Sequence, residues 1–398
     1  MLSYHHTVRN FIFILVSLLA MAAAALVISD YTLSKAINDG GIESAVSFVY
    51  GGSYEVSCYI PDEDEPFDSA YVFLPSFANT SSIKVKTSAS KVVFTYEDEV
   101  ISTGIFGRIN SFQMDIPYEM TVYDVYGTAK GSLTVTFMQS SSLPTVYVDT
   151  VSGSMDDVDA DKSYSEEGTM TLVDVDGSVL YYGDLDGVSA RGNQTFEYSK
   201  KSYHLNLDEA VDFFDMGTSD SWILLSNVFD ISHIRNKLTY DMAVQAGMYG
   251  SPESVYVDVY LNGSYNGQYL LCEKVEIGEN RLEIADLEEQ NEELNTGLDL
   301  DLAEWAEYDD GTKKGIFVSF EPEDVSGGYL IEHDYDVKYY YETSGFITDN
   351  GEAYVIKEPN MPPRLKSNTS HHSCRRSKMR SWLLTASILT PGSTSPNT

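Results

Sequence analysis

Positive charge is scarce in this sequence. Its 398 residues include 25 Lys or Arg against 61 Asp or Glu, a formal net charge of −36. Such a chain lacks the basic face that nucleic-acid phosphates require, so no nucleic acid is expected as a partner. Cysteine is also sparse. Cys58, Cys272 and Cys374 give neither a disulfide framework nor the paired spacing of a metal site, and no thiol chemistry is expected. There is a single long apolar run, Phe11–Ile28, whose only polar member is Ser17. That length suits a signal-peptide core or a membrane anchor, and the alanines between Ala20 and Ala25 offer small-residue cleavage positions. Segment 1–30 therefore reads as a signal peptide or signal anchor. The rest is expected to be exported, extracellular or at the cell surface, with residues 11–28 as a possible membrane tether.

Aromatic residues are plentiful, with 29 tyrosines, and the length allows two or three domains with their own cores. From 42 to 140 the text alternates as strands do: SYEVSCYI, SAYVFL, SIKVKT, KVVFTY and GSLTVTFM, separated by Gly, Pro, Asn and Ser. Short strands at such spacing read as a β-sandwich. No chemical constellation is visible in it, which favours a spacer or adhesion module.

A second unit, 143–360, opens with PTVYVDT and a strand pair around Asp176-Gly177. Asp156, Asp157, Asp159 and Asp161 invite a calcium-loop reading, which fails. Counted from Asp157, the glycine position holds Lys162 and the bidentate-glutamate position holds Gly168, leaving a solvated acidic turn. Next comes RGNQTFEYSKKSYHLNL, Arg191–Leu207, a basic turn ahead of a period-2 strand. It can hold a phosphate or form an ordinary hairpin. An apolar strand Trp222–Leu225 follows, then a helix capped by Asp230 or Ser232 that runs through IRNKLTYDMAVQA and stops at Gly247. Ile234, Leu238, Tyr240, Met242 and Val244 supply its apolar face. VYVDVYLNGSYNGQYLLCEKVEI reads as a hairpin around Asn262-Gly263 and Asn266-Gly267. LEEQNEELN then reads as helix, and the stretch from Gly327 to Glu332 as strand.

This order resembles the small lobe of a protein kinase, a twisted sheet over nucleotide phosphates with one helix behind, without its G-x-G-x-x-G loop or V-A-I-K. The segments RGNQTFEYSKKSYHLNL, WILLSNVFDISHIRNKLTYDMA, VDVYLNGSYNGQYLLCEKVEIGENRLEI and GGYLIEHD, in this order, resemble the CotH family of spore-coat protein H-like secreted protein kinases. The resemblance implies an α+β chain, with an N-terminal β-sandwich followed by an incomplete atypical kinase-like domain. It also implies ATP with a divalent metal (Mg or Mn) as cofactor and serine phosphorylation of secreted or coat proteins. Carried over by position, Arg191, Gly192 and Thr195 form the phosphate-facing turn and Lys201 pairs the phosphates. Lys200, its neighbour on the strand, points outward into solvent. Arg235 orients the loop or an acidic partner. Backbone groups near Glu273 meet adenine, and Tyr329 stacks on the base.

The chain departs from the family downstream. Downstream of GGYLIEHD, where the family carries them, the N-x-D…N-x-x-x-Y loop and the W-D-x-D segment with the catalytic and metal-binding aspartates are missing. Trp222, Trp305 and Trp382 are followed by Ile, Ala and Leu. No catalytic or metal residue is therefore assigned. Residues 361–398 hold six basic residues and no Asp, Glu or Tyr, whereas 1–360 hold the other 19 basic and all 61 acidic residues, a net −42. So abrupt a change reads as a shifted reading frame and a disordered tail, leaving a truncated and inactive kinase copy. The alternative is a cell-surface adhesin or structural binding protein without catalysis.

Overall fold

The computed structural model describes residues 2–61, 69–97, 99–103, 108–109, 112–297, 305–307, 313–316, 320, 322–325, 327–334, 339, 342, 344–348 and 350–359. Cys374, Trp382 and the basic tail 361–398 lie outside them. The described chain is mixed α and β, and mostly strand.

The chain divides into two compact units. The first comprises Met1–Asp208, Leu224–Ser226 and Tyr256–Leu270; the second comprises Glu209–Ile223, Asn227–Val255 and Leu271–Thr398.

In the first unit, helix α1 (Leu2–Gly40) carries the apolar run. Its span Ile14–Gly40 is long and apolar enough to cross a membrane by length and composition, which suits a signal peptide or anchor. Leu33, further along α1, is buried in the core of the sheets that follow.

Nine strands come next: β1 (Val46–Tyr50), β2 (Tyr54–Ser57), β3 (Ser69–Leu74), β4 (Ile83–Thr87), β5 (Lys91–Tyr96), β6 (Glu99–Thr103), β7 (Arg108–Ile109), β8 (Pro117–Tyr123) and β9 (Ala129–Gln139). They form two sheets, ordered β2-β1-β4-β7 and β3-β9-β8-β5-β6. Alternation places Val46, Phe48 and Tyr50 of β1 inside with Val135 and Phe137 of β9, so the two sheets share one core. Phe112 stacks on Phe137 with ring centres 3.7 Å apart, and Phe48 meets Phe137 edge-on at 5.0 Å.

Seven more strands follow in the chain, the last four of them with residues in both units: β10 (Thr145–Thr150), β11 (Glu166–Val173), β12 (Val179–Arg191), β13 (Ser202–Asp212), β14 (Thr218–Leu225), β15 (Ser254–Leu261) and β16 (Ser264–Glu273). The expected twisted sheet is closed here into a barrel of order β10-β11-β12-β13-β14-β16-β15. The parallel pairing of β10 with β15, Thr145 opposite Asp258, completes it. Gly168 on β11 lies so close to the Asp149 carbonyl that a Cβ would collide with it. The β15–β16 turn has both Asn262 (φ 49°) and Gly263 (φ 77°) left-handed, as a two-residue hairpin turn demands. Asn266-Gly267, the other anticipated turn point, falls inside β16.

The acidic stretch is largely solvated, with Asp156, Asp157 and Asp161 exposed. It forms one helical turn, α2 (Asp156–Ala160), that buries Val158, and Asp159 accepts a hydrogen bond from the Tyr203 hydroxyl at 2.9 Å.

The second unit holds α3 (Arg235–Gln245), α4 (Leu287–Leu294), and strands β17 (Trp305–Glu307), β18 (Lys313–Ile316), β19 (Leu330–Asp334), β20 (Gly345–Ile347) and β21 (Ala353–Glu358). These strands make a sheet of order β17-β18-β20-β21-β19. Along α3 only Ala243 is buried, while Ile234, Leu238 and Met242 are more than half exposed.

Candidate functional site

The basic turn occupies the end of the β12–β13 ladder. Arg191, exposed, stands opposite Ser202 in that ladder. Gly192 has φ +116°, and a Cβ there would run into the Thr195 hydroxyl, so the sharp turn requires glycine. A short 3₁₀ segment, Gln194–Glu197, closes the turn.

Both lysines lie just ahead of β13, which begins at Ser202, rather than on the strand as expected. The Lys201 ammonium donates to the Phe196 carbonyl and stands 4.5 Å from the centre of the Phe196 ring. A cation that the sequence reading missed shares that ring: the Lys162 ammonium is 5.2 Å from it. Nothing in the sequence announces this pairing, because Lys162 sits at the glycine position in the middle of the rejected calcium loop. Burial holds the Asp159 carboxyl above the usual carboxylate range, while its bond from Tyr203 and the charge of Lys201 pull it back.

Lys200 is not the solvated neighbour the strand pattern suggested. Its ammonium donates to the Gln268 carbonyl at 2.6 Å and lies 4.5 Å from the Tyr269 ring centre. Burial lowers its pKa from 10.5 to about 8, partly offset by Asp258. Asp258 is buried on β15; it accepts a bond from the Tyr265 hydroxyl at 3.0 Å, and burial raises its carboxyl. Tyr269 ties the two lysines together, since its hydroxyl donates to the Lys201 carbonyl at 2.9 Å.

The remaining candidates, Arg235, Glu273 and Tyr329, fall in the second unit. Arg235 opens α3 with its side chain in solvent and its Nε 3.5 Å from Asp230. Asp230 caps the helix by accepting from the Arg235 amide at 2.8 Å and from the Ser232 hydroxyl at 2.5 Å, which holds its carboxyl down at about 2. The Glu273 amide donates to the Glu253 carbonyl at 3.2 Å, and its carboxylate pairs with Arg281 at 2.9 Å. Arg281 is 3 % exposed and stacks 4.8 Å from the Trp222 ring. Tyr329 is half-buried and donates to the Val325 carbonyl at 3.2 Å. Gly327 and Gly328, just before it, line a cleft of about 410 Å³ with Ile284, Ala285 and Gln290.

The chemistry these groups offer is a cationic spot in an acidic molecule. Lys162 and Lys201 on one aromatic ring, beside a glycine turn, suit phosphate oxygens. Among the described residues no group of three or more His, Cys, Asp or Glu converges as a metal site, so no donor set is assigned for a divalent ion. Residues 188–360 match the family model described as CotH kinase protein, in agreement with the resemblance that its motifs carry. No curated protein matches the chain.

Proposed function

We propose that residues 143–360 form an atypical kinase-like domain of an exported CotH-type protein, built to take ATP and act on serine of coat or surface proteins. The observation that supports this most is the coincidence of the family match over 188–360 with the lysine-bearing glycine turn. ATP with Mg or Mn supplies the γ-phosphoryl group when bound. The chain's own part is electrostatic: Lys201 and Lys162 hold phosphate oxygens as point charges, and Gly192 lets the turn backbone approach them. Downstream of Asp334 the sequence holds no N-x-D, and W-D-x-D occurs nowhere in it, so no group is assigned to accept the serine proton. The reading is therefore a nucleotide-binding chain with little or no phosphotransfer of its own.

Two measurements test it. Lys201→Ala should weaken ATP binding with little change in melting temperature; equal binding by variant and parent would return the turn to a plain hairpin. Label from γ-labelled ATP should not enter the protein or a coat substrate above the Lys201→Ala background, and incorporation above it would overturn the inactivity. A second reading, a surface binding protein without catalysis, draws on the two-sheet module with its own aromatic core. Retained function in a Lys201→Ala variant would favour that reading.

A further inference from the structure

A cleft of about 320 Å³ opens in the first unit where strand β2 faces the barrel, near the lower end of small-molecule sites. Ser57 and Thr171 bring hydroxyls to it, Glu55 and Asp149 carboxylates, Asn262 a side-chain amide, and Tyr54 an aromatic wall. These groups come from β2, β10, β11 and the β15–β16 turn, segments far apart in sequence.

The walls are fixed by hydrogen bonds. The Ser57 amide donates to the Gly263 carbonyl at 3.1 Å. The Asn262 carbonyl oxygen accepts from the Thr150 amide at 2.8 Å, leaving the Asn262 Nδ2 buried without a partner. The Tyr50 and Tyr147 hydroxyls are 2.8 Å apart, and Tyr54 stacks on Tyr147 with ring centres 4.8 Å apart. A ligand entering such a preformed cleft orders little of the protein.

The polar groups select the ligand. Both charges are negative, which disfavours phosphates and other anions. Glu55 is held by Lys86 at 2.7 Å and by the Ser47 hydroxyl at 2.5 Å, so its carboxylate is a fixed acceptor and not a free metal ligand. Asp149 is exposed at the cleft rim, where partial desolvation raises its carboxyl, and it can accept from a ligand hydroxyl there. At the end of β2 the Ser57 amide already bonds Gly263, which shortens the edge left for an added peptide strand. What remains is a neutral molecule with several hydroxyls and an apolar face for an aromatic ring. We propose that this cleft binds one or two sugar rings of a neutral glycan. The inference does not depend on the kinase reading, because none of the proposed phosphate-holding residues lines the cleft.

The test uses the full chain and saturation-transfer NMR with glucose, galactose, N-acetylglucosamine and their β-linked disaccharides, with tetralysine as the competing class. At least one sugar should bind, and Asp149→Asn should weaken it about tenfold, as loss of one charge-assisted hydrogen bond would. Thr171→Val should weaken the same sugar, and Lys201→Ala should leave it unchanged. Matching thermal melts of Asp149→Asn, Thr171→Val and parent would show that the fold survives. Binding of tetralysine and no sugar, binding of nothing, or sugar binding indifferent to both cleft variants would each overturn the proposal.

Discussion

The Tyr269 hydroxyl donates to the Lys201 carbonyl at 2.9 Å while the Tyr269 ring lies 4.5 Å from the Lys200 ammonium. One side chain on β16 thus fixes the backbone of one lysine and the charge of its neighbour. The Asn266 amide in turn donates to the Tyr269 hydroxyl at 2.8 Å, so the hydroxyl links the hairpin to the basic turn.

Tyr269→Phe keeps the ring and removes that link. The Lys201 carbonyl and the Asn266 amide both lose a partner, at a cost of about 1–3 kcal/mol. Urea denaturation should show the loss, and amide exchange should quicken around residues 196–202 more than in β3 or β9.

Lys200 predicts an alkaline signature. Its folded pKa is about 8 against an ordinary 10.5, so between those values the unfolded chain binds more protons than the folded one. Its contribution to stability therefore rises with pH across that window, and below pH 8 the protein bears a buried charge. Lys200→Met should remove this rise. The difference between parent and variant denaturation midpoints should narrow in the parent's favour from pH 7.5 to 9.5, and a constant difference would contradict the buried lysine.

Glu273 answers a guanidinium that is 3 % exposed. Replacing it by alanine leaves Arg281 charged and unpaired in the interior, a loss of about 3–5 kcal/mol. A change below 1 kcal/mol in chemical denaturation (roughly the scale of an exposed ion pair) would place the pair at the surface.

Phe137 is fully buried and touches Phe48, Phe94, Phe112 and Tyr118. Phe137→Ala should cost about 3–5 kcal/mol. Leu238→Lys, on the open face of α3 at 54 % exposure, should change stability by no more than about 0.5 kcal/mol.

Local patterns in the sequence determined the elements. Alternation in SAYVFL and KVVFTY marks β3 and β5, Asn262-Gly263 marks a hairpin turn, and Asp230 followed by an amphipathic run marks the start of α3. These signals are readable because each depends on the backbone preferences and side-chain direction of a few adjacent residues. The motif order that resembles CotH was likewise legible, and the match over 188–360 agrees with it. Tertiary structure alone decided which strands meet. Thr145 pairs with Asp258 across more than a hundred residues to close the barrel, and no local pattern encodes a partner at that distance. It also decided the fates of two adjacent lysines: Lys200 enters a niche made by Gln268 and Tyr269, while Lys201 joins Lys162 at Phe196. A strand's alternation predicts opposite directions, but what waits in each direction is set by chain brought in from elsewhere. The same holds for the cleft beside β2, whose polar groups converge only because the β15–β16 turn folds against Ser57.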